Sequence, residues 1–558
     1  MIKYKTHECG DESMSSNVDL DRFESRRSTV YSTNGVVSTS HPLAAEAGVS
    51  ILQEGGNAFD AAIATAATLN VVEPPSTGIG GDAFALYRTA SGDVGALHSC
   101  GTAPADATLD NVRRAVSEDT SLEDNIMPQA GPLSVTVPGA ARGWEAMVEQ
   151  FGALSFESVL QPAINHAIEG FPVSEIISHL WHGGEARLLN DHARESYLID
   201  GRAPNPGEIV SLPALGETLQ TVASQGADVF YEGEIAEQIV AAVQSRGGLL
   251  TAEDLATFEP EFIDPISTTY NGVEVYQLPP STQGAIVLEA LNIAEELSVD
   301  QYPIESPEYK HYLIESMKLA FRDGHRHITD PTYYDVPPLH SKEYAKERAV
   351  EIDKTANAHV EAGFPSADAS DTVLITIADG DGNVVSFINS LYSAFGSGIA
   401  PDETGILLQS RGGSFSLDPD HPNRIEPGKR PFHTLIPGLL RFDENDWAAY
   451  GVMGAFMQPQ GHVQVIGNVV DGGMPLQRSL DEPRWRYLEG GDVAIEARFD
   501  DRVASKLARR GHDIALYPSG PYNQAPVGGF GGAQIARNED GVLSAATDPR
   551  KDGSALGF

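Results

Sequence analysis

At residue 372 the sequence stops reading as helix and begins reading as sheet. Between about 140 and 350, apolar residues recur at helical spacing over 140–151, 157–169, 213–224, 233–246, 282–297 and 307–323. Residues 354–370 are small and polar with Gly and Pro among them, the pattern of a flexible linker. The run Thr-Val-Leu-Ile-Thr-Ile at 372–377 is rich in β-formers, Asp-Gly-Asp-Gly-Asn at 379–383 is a turn, and Val-Val-Ser-Phe-Ile at 384–388 is a second strand. That is a hairpin. More short strands follow, with one helix near 500–510, so the C-terminal third is the sheet-rich part.

The N-terminal part is punctuated more finely. Residues 1 to about 30 are polar and read as a loose arm. Val36 and Val37 mark a short strand. Ser40 is placed to cap a helix that starts at Pro42 and stops at Gly55 and Gly56. Asn57 caps an Ala-rich helix to about Asn70, and a Gly/Pro loop at 73–82 leads into an alternating strand over 83–88. Thr251 to Asp254 fits a capping box.

Composition narrows the class. A chain of 558 residues, 41% hydrophobic, can bury a large core. Its 79 acidic residues against 37 basic ones leave a formal charge of −42. Beside the regular apolar periodicity, that excess reads as a solvated acidic shell. Such a surface stays soluble where salt screens its self-repulsion, which points to a salt-rich cytoplasm. Nucleic acid is disfavoured as a partner because its phosphates would be repelled. Two cysteines, Cys9 and Cys100, allow one bridge at most and no thiolate metal site. There is neither an apolar N-terminal signal region nor a run of 18 apolar residues, so a cytoplasmic protein without a membrane partner is expected.

Several motifs have plain readings. Gly-Ile-Gly-Gly-Asp-Ala at 78–83 matches the dinucleotide pattern GxGxxA. A loop precedes it and a strand follows, whereas a phosphate cradle needs a strand and then a helix N-terminus. A tight backbone turn lining a site or core is the better reading. The turn at 379–383 would need a bidentate Glu at loop position twelve to hold calcium, and that place is Ser390. His325, Arg326 and His327 end a helix, do not share one face, and read as favourable charge at its C-terminus. No GxSxG elbow occurs. A Thr before a β-run is ordinarily a strand residue, so what lifts Thr372 is the set of motifs around it.

That set includes Gly-Gly-Asn-Ala-Phe-Asp-Ala-Ala-Ile-Ala at 55–64 and Asn-Val-Val-Glu-Pro-Pro-Ser-Thr-Gly-Ile-Gly-Gly-Asp-Ala-Phe at 70–84. Pro-Pro-Ser-Thr-Gln-Gly at 279–284 and Asp-Thr-Val-Leu-Ile-Thr at 371–376 follow. Then come Asn-Ser-Leu-Tyr-Ser-Ala-Phe-Gly-Ser-Gly-Ile at 389–399, Pro-Gly-Lys-Arg-Pro-Phe-His-Thr at 427–434, and Thr-Asp-Pro-Arg-Lys-Asp-Gly at 547–553. In this order, from about 30 to 556, they resemble the γ-glutamyltransferase (γ-glutamyltranspeptidase) family.

The resemblance implies an α/β layered fold, the four-layer αββα sandwich of the N-terminal-nucleophile hydrolases. It implies a precursor that cuts itself between Asp371 and Thr372. Behind the arm, a helix-rich large subunit (31–371) would stay interlocked with a sheet-rich small subunit (372–558) as an αβ heterodimer. It implies no metal or organic cofactor and a small-molecule acyl-amide as substrate. Thr372 would be the nucleophile, with its freed α-amine, of reference pKa about 7.7–8.0, as the base. Ser390 matches the family's second hydroxyl. Gly454 and Ala455 match the paired N–H donors of its oxyanion hole, and Ala455 in place of the usual second Gly keeps the N–H.

The substrate clamp departs from the pattern. Where the γ-glutamyl enzymes carry an Arg-Glu pair this chain has Cys100 and Gly101. Ser414 replaces the acid that grips the amine, His433 and Thr434 replace a Ser-Ser pair, and Arg411 replaces a Gln. Arg411 is the residue expected to supply the carboxylate contact, with His433 nearby. The leading expectation is a self-processing amidohydrolase or acyltransferase acting on γ-glutamyl amides such as glutathione through an acyl-enzyme on Thr372. The alternatives are the same chemistry on a non-γ-glutamyl acyl-amide, oxamate-like or an acylase substrate, and an unprocessed, non-catalytic binding protein.

Overall fold

The computed structural model describes residues 3–4, 27–119, 122, 125–357, 372–517 and 529–558. Cys9, Asp371 and most of the 1–30 arm and of the 354–370 linker lie outside the described residues.

Two seven-stranded antiparallel sheets face each other. The first runs in the order Ser554–Gly557, Gly35–Thr39, Val373–Asp379, Val384–Ser390, Asp82–Arg88, Val94–Ser99, Glu261–Ile263. The second runs Val30–Ser32, Val542–Thr547, Gly532–Glu539, Asp446–Met453, Gly438–Asp443, Val273–Gln277, Ile266–Tyr270. Alternation along the strands decides what each face meets. Val373, Ile375 and Ile377 pack with the helices Pro42–Gln53 and Ala58–Val72. Leu374 and Ala378, between them in sequence, pack with Leu435, Leu439 and Ala449 in the space between the sheets. Tyr450 and Val452, on the outer face of the second sheet, join Gly284–Glu296, Pro307–His327 and Met457–Val470. The layers are therefore helices, sheet, sheet, helices: the αββα sandwich. Strands from both sides of residue 372 share each sheet, so neither part closes a core alone.

The hairpin falls where its residues predict, over Val373–Asp379 and Val384–Ser390. Asp379 organises its turn: Oδ1 accepts from the N–H groups of Asp381 at 3.1 Å and Asn383 at 2.9 Å. Its Oδ2 accepts from Ala58 N–H at 2.9 Å, so the same carboxylate also holds the start of a helix. The Gly-rich run at 78–83 is the tight turn expected, closed by Gly81 N–H to Gly78 carbonyl at 3.0 Å. A Cβ on Gly80 would lie 2.3 Å from the Leu407 carbonyl, so only glycine lets the two backbones approach.

Two local expectations are corrected. The N-cap of Pro42–Gln53 is His41, whose Nδ1 accepts from Leu43 N–H at 3.2 Å. Ser40 instead donates to the buried Glu73 carboxylate at 2.7 Å, which needs donors more than the helix end does. His325 does not add charge to its helix C-terminus. It is buried, and desolvation pulls its pKa down to about 3, leaving the exposed Arg326 as the cation of that turn. No helix among the described residues is long and apolar enough to cross a membrane.

The C-terminal strand is held by a buried ionic cluster. Arg484 Nη2 lies 2.6 Å from Asp548 Oδ2, Arg550 Nη2 lies 2.6 Å from Glu496 Oε2, and Arg550 Nη1 lies 3.1 Å from Asp548 Oδ1. These cations hold both carboxyls below their usual range against the desolvation that would raise them. The stabilisation is thus present above the unfolded carboxylate pKa, about 4, and is lost as pH falls through the folded values. Asp548→Ala strands two guanidinium groups. It is expected to cost about 3–5 kcal/mol, read as a clear fall in the thermal midpoint followed by circular dichroism at neutral pH.

Candidate active site

Strand register assembles the first half of the site. Val373 is opposite Asn389, which sets Thr372 across from Ser390, and Ser390 is opposite Asp82 on the next strand. Ala83 is opposite Ser99, so Cys100 continues the row beyond Asp82. Opposed residues of an antiparallel pair share a face. Thr372, Ser390, Asp82 and Cys100 therefore stand side by side across four strands, on the face that carries Leu374, Ile388 and Phe84 into the inter-sheet core. Thr372 Oγ1 is 3.1 Å from Ser390 Oγ, and both residues are buried. Tyr392 N–H donates to Ser390 Oγ at 2.9 Å and fixes that hydroxyl.

The second sheet supplies the opposite wall. Gly454 and Ala455 leave the strand Asp446–Met453 and enter the helix Met457–Val470 through a left-handed turn, with φ +121° and +50°. Ala455 accepts the strain of that region, roughly 1–2 kcal/mol for an L-residue. Their carbonyls are committed: Gly454 O to Met457 N–H at 2.8 Å, and Ala455 O to Gln458 N–H at 3.1 Å and Gln283 Nε2 at 3.0 Å. Their N–H groups meet no acceptor among the described residues. Two adjacent buried donors at the positive end of a helix suit an oxyanion.

Arg411 lies in a one-turn helix, Arg411–Ser414, and is wholly buried. Its guanidinium sits 4.2 Å over the Tyr392 ring, and Nη1 donates to Thr434 Oγ1 at 2.8 Å. Nε is 3.9 Å from Asp82 Oδ2, and neither Nε nor Nη2 has a hydrogen-bond acceptor among the described residues. His433 Nδ1 accepts from Leu435 N–H at 3.2 Å, which leaves Nε2 to donate to Asp82 Oδ2 at 3.1 Å. Burial, with Arg411 beside it, holds the imidazole well below its usual pKa, so it is neutral. Asp82 also accepts from Gln409 Nε2 at 3.3 Å. Burial pushes its carboxyl up to about 7 even though Arg411 and the nearby backbone of Gly101 and Gly139 pull it down. The Cys100 thiol is pushed up by burial and by Asp82, and stays protonated. Ser414 Oγ donates to the Arg411 carbonyl at 2.6 Å, so its hydroxyl closes the turn. A cavity of about 440 Å³ opens beside it, lined by Ser414, Phe432 and His325 among others.

Donor atoms of Asp82, Cys100 and His433 lie within 4.8 Å of one another, a grouping that could hold a metal. The Arg411 charge next to the same Asp82 oxygen opposes a cation there. A second group, His311, Glu315 and His512, is already served internally by Lys318, 2.7 Å from Glu315.

Of the residues expected from sequence, Thr372 pairs with Ser390, Gly454 with Ala455, and Arg411 groups with Ser414, His433 and Thr434, while Cys100 stands opposite Asp82. Two further residues contact these groups. The sequence reads Asp82 as part of a backbone turn; an acid closing a Gly-rich turn ahead of a buried strand is its signal. Gln283, inside the run at 279–284, donates to the Thr434 carbonyl at 2.7 Å as well as to Ala455, tying the two halves of the second wall together.

Fold and site together define an amide hydrolase or acyl-transferase of the N-terminal-nucleophile fold. A model of the γ-glutamyltranspeptidase family matches residues 44–558, and the chain belongs to that family. It is 38% identical to a glutathione hydrolase-like YwrD proenzyme of Bacillus subtilis, over 95% of this chain and 99% of the relative. It is 33% identical to an oxamate amidohydrolase proenzyme of Klebsiella pneumoniae, over 95% of this chain and 100% of the relative. A solved cephalosporin acylase from Bacillus halodurans superposes with a TM-score of 0.88 at 41% identity, covering 98% of this chain and 99% of that one.

Gln283→Leu would leave the Thr434 carbonyl without its donor, while the Ala455 carbonyl keeps Gln458 N–H. At about 1–3 kcal/mol for a buried group left unsatisfied, it is expected to lower the thermal midpoint, whereas Gln283→Glu should keep part of the packing but lose the donor.

Proposed function

We propose that this chain is a self-processing amide hydrolase in which Thr372 is first the cleavage nucleophile and then the catalytic one. The observation that carries it is the buried Thr372–Ser390 hydroxyl pair at 3.1 Å, standing at the start of a strand rather than within one. In the precursor the Thr372 hydroxyl attacks the Asp371 carbonyl, the acyl group passes from nitrogen to oxygen, and water opens the ester. The freed α-amine, on the same residue, then takes the hydroxyl proton and returns it to the leaving amine, at little entropic cost. Gly454 and Ala455 N–H groups receive the oxyanion, and loss of one such donor would add roughly 3–4 kcal/mol to the barrier. Water or an amine resolves the acyl-enzyme.

The acyl group, in this reading, carries a carboxylate that Arg411 binds through Nε and Nη2. γ-Glutamyl amides such as glutathione are one candidate, favoured by family and by the name of the 38%-identical relative. The site itself favours an acyl chain without the α-ammonium. Asp82, the carboxylate beside Arg411, is already engaged by His433 and Gln409, and Ser414 stands where the amine-gripping acid would be. The acidic surface suits salt-rich surroundings, so the protein is best handled at high salt.

Intact mass decides the processing step. Wild type prepared at high salt is expected as two chains, 1–371 and 372–558, and Thr372→Ala as one. A wild type that stays whole when folded would remove the catalytic base and leave a binding protein. Specificity is read with paired anilides: glutaryl-p-nitroanilide is expected to be cleaved faster than the γ-glutamyl compound. Arg411→Met should cost kcat/KM for the glutaryl compound about 1.5–3 kcal/mol, or roughly 10- to 150-fold. Equal rates for wild type and Arg411→Met would end the Arg411 assignment.

A further inference from the structure

Arg411 has a counter-ion but leaves two of its donors unused. Asp82 Oδ2, at 3.9 Å from Nε, supplies opposite charge but no hydrogen bond, and the Nε and Nη2 donors of this fully buried guanidinium face no acceptor among the described residues. That edge is the one that grips a carboxylate with two parallel bonds. Asp82, meanwhile, draws its hydrogen bonds from His433 and Gln409. A second anion arriving at Arg411 would stand beside Asp82 in a space closed to water, where two like charges resist joint ionisation.

We infer that a ligand carboxylate entering at Arg411 displaces Asp82 as the guanidinium's counter-ion, and that Asp82 takes up one proton from solvent as it does so. The inference rests on the assignment of Arg411 as the carboxylate site. The balance is simple: a ligand carboxylate and a proton enter, the ligand pairs with Arg411, and Asp82 becomes a neutral acid. The charge of the buried site is the same before and after.

The surroundings leave Asp82 as the group that changes. His433 is neutral and held below its usual range by burial and Arg411. The Cys100 thiol and the Tyr231 phenol, both pushed up by burial, keep their protons. His98 is pulled down to about 3 by burial, Arg430 is paired with Glu261 at 2.7 Å, and Asp330 accepts from Arg430 N–H and Thr332. Asp82 is poised at about 7 in the empty site, so little work separates its two states. The sign follows. An added anion raises its pKa further, so uptake occurs where Asp82 begins ionised, above about pH 7, and vanishes where it already holds a proton.

Glutarate is the probe, titrated calorimetrically into the purified protein in buffers of different ionisation enthalpy. Near pH 8 the expected uptake approaches one proton per glutarate bound and falls toward zero near pH 6. The Kd rises by up to about tenfold per pH unit above neutrality. Asp82→Asn should bind with no uptake and a flat Kd. Glutarate binding to wild type near pH 8 without proton uptake, or uptake that survives in Asp82→Asn, overturns the exchange while leaving Arg411 as the carboxylate site. Failure of glutarate to bind, with Arg411→Met no different, overturns both. If Asp82→Asn does not fold, the wild-type pH series decides.

Discussion

The hydrogen-bond register between Val373–Asp379 and Val384–Ser390, carried on to Asp82–Arg88, is what the chemistry of this molecule hangs on. Side chains alternate along a strand, so a slip of one residue would turn Thr372 and Ser390 toward the helices. It would put Val373 and Asn389 in their place. The register is locked from several sides. Ile375 and Ile377 need the helical core, Leu374 needs the inter-sheet one, and Ser386 Oγ donates across to the Tyr450 carbonyl of the second sheet at 2.9 Å. At the site end, a Cβ on Gly81 would lie 2.3 Å from the Ser390 carbonyl, so the turn before Asp82 is pressed against the residue that pairs with Thr372.

A comparison of buried arginines separates structure from function. Arg550 bonds Glu496, Asp548 and the carbonyls of Leu480 and Glu482, leaving its donors engaged. Arg484 is likewise closed by Asp548 and the Phe530 carbonyl. For Arg550 these groups outweigh the desolvation of its charge, while burial still pulls Arg484 down to about 10. Arg411, equally buried, makes one hydrogen bond, to Thr434, and rests on the Tyr392 ring. Burial pulls its pKa down, and Nε and Nη2 meet no acceptor among the described residues. The same contrast marks the backbone: Gly454 and Ala455 have committed carbonyls and uncommitted N–H groups, next to a helix start.

What the sequence alone made legible follows from how local each cause is. The hairpin bounds, the Asn57 and Thr251 caps and the tight Gly turn depend on a few neighbouring residues, and each is where its residues put it. Ser40 misled because its preferred partner, Glu73, lies 33 residues on. Asp82 and Gln283 were missed for the same kind of reason. Asp82 acts on residues 329 and 351 positions away, Arg411 and His433, and Gln283 joins Thr434 to Ala455 across 151 and 172 positions. Nothing in a glycine-rich turn or a helix start announces contacts at that range. Thr372 and Ser390 were legible through the order of motifs, while their 3.1 Å approach comes from pairing register, which motifs do not encode.

The departures from the γ-glutamyl clamp then read as one coupled change rather than several. In this fold Cys100 adjoins Asp82, so an Arg at 100 beside Arg411 would set two guanidinium groups against one carboxylate and repel. A side chain at 101 is excluded outright, because a Cβ on Gly101 would lie 2.0 Å from the Val137 carbonyl. With the early strand end taken up by Cys100 and Gly101, a cation able to read a carboxylate has to come from elsewhere, and Arg411, in the turn Arg411–Ser414, is a buried cation beside Asp82. Thr372, Ser390 and the Gly454–Ala455 turn lie on framework strands and a helix start that this exchange does not touch. One scaffold can therefore keep its hydroxyl pair and its paired N–H donors while the direction from which the acyl group is held rotates around them.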